Sequence, residues 1–190
     1  MHRDYLNHTL LVPSTAPGCR QLEMFVFLTD VPETLGPPHL VSRRHSAHLP
    51  SMPNWYLRPG RGGSSFEADG GGAELYRAAV SGAGPAGTAI AFEAGTFHRG
   101  TQLTAPGGAR YSMHLCFRPA HLHWGQRVGW AARSYSREWV EFIGRATPRQ
   151  LQVFGFPPLG HPYWTLETLA GMAQRYPMLD LTPWHNHRQA

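Results

Sequence analysis

QLEMFVFLT, residues 21–29, is the run whose reading decides the fold class. Its β-branched and aromatic side chains suit a pleated, half-buried ladder, so it predicts a strand. Similar runs lie on both sides. YLNHTLLV (5–12) is β-like and ends at Pro13, and LGPPHLV (35–41) reads as a turn and a short strand. AELYRAAV (73–80), GTAIAFEA (87–94) and ARYSMHLCFR (109–118) predict further strands, with turns at GAGPAG (82–87) and APGG (105–108). Residues 43–73 lack apolar periodicity and read as a long loop, either a lid or an unstructured segment. The character changes in the last third. Trp139, Phe142 and Ile143 have helical spacing within 134–145. Thr147-Pro148 looks like a cap and first turn of a helix ended by Gly155, and 165–176 predicts another helix stopped by Pro177. The expected layout is mainly β in a single domain over 1–190, with a β portion over about 1–120 and a helical C-terminal extension over about 121–190.

The 190 residues contain 17 arginines and no lysine, against 12 acidic side chains, for a formal charge of +5. Without lysine there is no Schiff-base amine, no pyridoxal-phosphate anchor and no phosphate-loop lysine. What remains is a permanent planar cation suited to carboxylates and phosphates. GC-rich coding, which favours Arg over Lys, is expected to account for most of the bias. The arginines are scattered, Arg43-Arg44-His45 being the tightest group, so no nucleic-acid partner is expected. Cys19 and Cys116 are too few for a disulfide scaffold, and no apolar run approaches the roughly 18 residues of a membrane span. A cytoplasmic protein with reduced thiols is the expectation.

The chemistry-bearing residues are spread along the chain. In His2-Arg3-Asp4, residues two apart on an extended segment point to one side, so one imidazole and one carboxylate can meet one metal. Chance also produces such pairs. His98, in GTFHRG (95–100), follows the 87–94 strand, and a lone strand-end His is more often structural. Arg110 and Ser112 share a face after the next turn, where guanidinium and hydroxyl can grip one carboxylate. Together they match a chemical pattern. Two His and one carboxylate make the facial triad of non-haem iron(II) oxygenases, which leaves coordination positions open. An oxo-acid co-reductant for such a centre needs an Arg partner near the second His.

HRDYLNHTLLVP (2–13), FVFLTDVPETLGPPHLV (25–41) and GTFHRGTQLTAPGGARYSMHLCFR (95–118) resemble the phytanoyl-CoA dioxygenase family of Fe(II)/2-oxoglutarate oxygenases. GFPPLGHPYW (155–164) and RYPMLDLTPW (175–184) resemble a bacterial branch of it. The resemblance covers nearly the whole chain. It implies a double-stranded β-helix (jelly-roll, cupin-like) fold with His2, Asp4 and His98 as iron ligands. Arg110 would hold the distal carboxylate of 2-oxoglutarate, with Ser112 assisting. It also implies hydroxylation of a small organic substrate, with dioxygen and 2-oxoglutarate as cosubstrates and succinate as product. Asp4 favours hydroxylation over halogenation, because related halogenases carry a small residue there. One departure follows. The family places helical and strand segments before its His-x-Asp motif, whereas here that motif begins at residue 2. The N-terminal part of the family fold is therefore expected to be missing, and a ligand beside a free terminus is expected to fray.

The alternative reading is a catalytically silent, truncated β-barrel homologue serving as a binding or structural module. A cupin-like metalloprotein that does not use 2-oxoglutarate is a third, but it leaves Arg110 and Ser112 without a task. Arg43 and Arg44 would suit an anionic substrate, or simply a solvated loop. His121, His123, His185 and His187 read as solvated or packed. His8, on the nominal face of His2 and Asp4, reads as packed support. Tyr76, Phe92 and Phe117 read as core.

Overall fold

The computed structural model describes residues 1–4, 9–50, 55–56, 67–68, 72–123 and 136–187. It divides into two compact units, one of Met1–Arg3 with Leu22–Phe117 and the other of Asp4–Gln21 with Arg118–Ala190.

The first unit holds strands β1 (Leu22–Phe27), β2 (His39–Val41), β3 (Trp55–Tyr56), β4 (Glu67–Ala68), β5 (Ala79–Ser81), β6 (Ala89–Glu93), β7 (His98–Arg99) and β8 (Ser112–Phe117). Helical turns α1 (Arg43–Ser46) and α2 (Ala73–Ala78) lie between them. Two three-stranded sheets form, in the orders β6-β1-β8 and β5-β2-β7, and β3 pairs with β4 in parallel. Every pairing in the three-stranded sheets is antiparallel. The run that decides the fold class is thus the central strand of its sheet. Its register sets Glu23 opposite both Phe92 and Cys116, and Phe25 opposite both Ile90 and His114. The sheets meet at His98, whose ring lies 5.0 Å from Phe92 and 6.3 Å from Phe25 between centroids. They remain separate, and no closed barrel forms among the described residues.

Between β1 and β2 the chain turns through a 3-10 turn, Glu33–Leu35, ended by Gly36. Gly36 has φ 69°, and a Cβ there would meet the Thr101 carbonyl oxygen at 2.6 Å, so both backbone and space require glycine. A small core of Met1, Val41, Leu75 and Phe97 lies within this unit.

Three expectations need correction. AELYRAAV was expected as a strand, yet Ala73–Ala78 is helical and only Ala79–Ser81 extends. Ala, Glu, Leu and Arg are good helix formers, and one turn suffices to bury Leu75. His98 was placed at the end of the 87–94 strand, but it belongs to β7 in the other sheet. Phe117 was read as core and is 51% exposed, whereas Phe92 is buried and Tyr76 half-buried. Part of the 43–73 loop is α1, β3 and β4, and most of the rest lies outside the described residues.

In the second unit the expected 5–12 strand is absent over its described part, Tyr5–His8 being outside the described residues. Thr9–Val12 is buried without strand pairing. Side chains satisfy its carbonyls instead. Arg175 donates to Leu11 and Thr9 at 2.9 and 2.7 Å, while Tyr176 and Tyr163 donate to Leu10 and Val12, each at 2.8 Å. Helices α3 (Arg137–Arg145), α4 (Pro148–Val153), α5 (Leu166–Arg175) and α6 (Thr182–Asn186) lie among the described residues of this unit. Ser136 caps α3, and capping boxes start α4 (Thr147 with Gln150) and α5 (Thr165 with Thr168). The sequence signalled the first three; α6 was not anticipated. No helix among the described residues is long and apolar enough to cross a membrane.

Candidate metal centre

His98 sits on β7 with 4% of its surface exposed. Its Nδ1 lies 3.1 Å from the Thr96 carbonyl oxygen. A carbonyl only accepts, so Nδ1 carries the proton and Nε2 keeps its lone pair for a metal.

The chain start pairs with this strand. His2 and His98 form an antiparallel bridge, with each amide donating to the other's carbonyl at 2.9 Å. Their rings lie 4.5 Å apart between centroids. The residues beside His2 make contacts of their own. Met1 is buried and its amine donates to the Tyr76 hydroxyl at 2.8 Å. Arg3 is 3% exposed, donates to the Pro50 carbonyl at 2.7 Å, and stacks over Phe97 at 4.3 Å. Residues on both sides of His2 are therefore anchored.

The boundary between the units falls at the peptide bond between Arg3 and Asp4. Asp4, the first residue of the second unit, is buried. Within the first unit His2 and His98 thus bring two imidazoles together, and Asp4 is the carboxylate two residues after His2 in the chain. Two imidazoles and a carboxylate suit a divalent first-row metal, so the donor set fits iron(II).

Ser112 is exposed at the start of β8, opposite Phe27. Strand alternation puts it on the face that carries His114 and Cys116. Arg110, also exposed, continues that two-residue period just before the strand. At about 3.3 Å per residue, Arg110 lies roughly 13 Å along the chain from His114.

A second group was not anticipated from the sequence. Glu23, His114 and Cys116 bring ligand-capable atoms within 4.8 Å of one another. Its signal was present as His114 and Cys116 two apart in one strand and a Glu inside the most apolar one. What was missing was the register that pairs them.

His121, His123 and His161 line a cavity of about 480 Å³ in the second unit, with Phe156 and Pro158. Burial, and then the charge of His121, holds the His161 imidazolium below its ordinary range.

No family model, curated protein or solved structure matches this chain.

Proposed function

We propose that the chain is an Fe(II)- and 2-oxoglutarate-dependent dioxygenase of the phytanoyl-CoA dioxygenase type, hydroxylating a small organic substrate. One observation carries the reading: His2 and His98, far apart in sequence, are brought ring to ring in the first unit, and Asp4 follows His2 by two residues in the chain. The full fold in this reading is a double-stranded β-helix. In support, successive strands β5 to β8 alternate between the sheets, as a jelly roll requires.

Bound iron would supply activation of dioxygen, with 2-oxoglutarate decarboxylated to succinate as the source of electrons. The chain's own tasks are narrower. Thr96 holds the His98 tautomer, and the His2–His98 bridge fixes the spacing of the two rings. Phe25 and Phe92 present an apolar wall to His98, which disfavours bulk water there. Arg110, with Ser112, is the proposed dock for the distal carboxylate. The test is iron-dependent succinate formation from 2-oxoglutarate. Arg110→Ala should raise the 2-oxoglutarate requirement at least about tenfold, because a charge-assisted pair of about 1.5–3 kcal/mol is removed. An unchanged requirement removes Arg110 from the docking role.

The second reading, a silent β-barrel homologue acting as a binding module, is favoured by one observation. The described strands do not close a barrel around the centre.

A further inference from the structure

We propose that Glu23, His114 and Cys116 form a second metal site, separate from the His2–His98 centre, for a zinc-class divalent ion bound through a thiolate. All three residues belong to the first unit. Glu23 lies in the middle strand of its sheet and is 1% exposed. Cys116 is its direct partner across the β1–β8 ladder, and His114 is the next same-face residue on β8. The Cys116 Sγ lies 2.7 Å and the His114 Nε2 2.9 Å from the same Glu23 oxygen, Oε2. Sulfur and imidazole nitrogen are 4.0 Å apart.

Those spacings are close to what a tetrahedral ion needs. Metal–sulfur and metal–nitrogen bonds of about 2.3 and 2.0 Å set ligand atoms about 3.3–3.5 Å apart. Each separation in the trio therefore has to change by less than about 1 Å, within the reach of side-chain torsions. A buried carboxylate facing an imidazole and a thiol also gains from a cation, since carboxylate burial is costly in an apolar surround. Binding would release the thiol proton to solvent and leave Cys116 as thiolate, with neutral His114 giving Nε2. Three protein ligands leave a fourth position for water. The His114 side chain, 36% exposed, provides the solvent side through which an ion enters.

Sulfur separates this site from the first. His2, Asp4 and His98 offer only nitrogen and oxygen, and the Phe25 ring contacts both His114 and His98, at 4.7 and 6.3 Å between centroids. The zinc-class assignment follows from the thiolate, which hard oxygen-preferring ions do not select.

Cobalt(II) titration of the full reduced chain tests the assignment, because a thiolate ligand adds a sulfur-to-cobalt charge-transfer band in the near ultraviolet. The wild type should show that band, and added zinc should remove it. Cys116→Ser should abolish it, whereas Cys19→Ser and His98→Ala should retain it. His114→Ala alters a partly exposed side chain and so guards against misfolding of the Cys116 variant; it should weaken cobalt binding at least about tenfold. No sulfur band in the wild type overturns the proposal and leaves the trio as a hydrogen-bonded network. A band that survives in Cys116→Ser overturns it equally. Neither result bears on the iron centre, which has no sulfur ligand.

Discussion

Single side chains decide whether the two ends of the candidate centre meet. The Thr96 carbonyl selects the His98 tautomer, and Arg3 and Met1 pin the segment that carries His2. His2, Asp4 and His98 were singled out in the sequence as a candidate group, because an i, i+2 pair and a distal His form a chemical pattern. The anchoring was not legible. Nothing in the order of residues says that Met1 would donate to a tyrosine hydroxyl or that Arg3 would lie over Phe97. His161 gives a prediction at this scale. Its folded-state pKa is lowered from 6.5 by burial and by His121, so the unfolded chain takes up the proton first as pH falls. Stability from this group is therefore present above about pH 6.5 and is lost as pH falls below it toward the folded value. Thermal midpoints measured from pH 7.5 downward should fall more steeply for the wild type than for His161→Gln. Parallel curves would contradict the assignment.

Elements were legible where local chemistry dominates. Thr147-Pro148 and Thr165 announce helices because a side-chain oxygen must satisfy the first free amides, and both capping boxes form. Thr147→Ala removes the oxygen that accepts from the Gln150 amide and should cost about 1 kcal/mol in urea unfolding. A change below a few tenths would show that the α4 start is held by other contacts. Elements failed to be legible where composition is ambiguous. Ala73–Ala78 has the alternation of a half-buried strand and the propensity of a helix, and burial of Leu75 is achieved by one helical turn. Thr9–Val12 has strand chemistry without a strand, because Arg175, Tyr163 and Tyr176 take the hydrogen bonds a ladder would make.

The whole molecule depends on pairings that no local window contains. Strand identity for β1, β6 and β8 was readable, but the order β6-β1-β8 was not, and that order creates the Glu23–His114–Cys116 group. Residues 4–21 group with the C-terminal helices and not with the strands that follow them, a pairing that no local window contains. Coding bias bears on why the 17 basic side chains are all arginine, but not on what each one does. Arg175 now has a structural task, Arg3 an anchoring one, and Arg110 a proposed catalytic-site task that depends on iron and 2-oxoglutarate binding together.

Anaerobic addition of Fe(II) and 2-oxoglutarate to the reduced protein tests that dependence most directly. A bidentate oxo-acid on a two-histidine, one-carboxylate iron gives a visible metal-to-ligand charge-transfer band. The band should appear in the wild type and be lost in His98→Ala. A wild-type protein that stays colourless with both added contradicts the dioxygenase reading and favours the silent homologue.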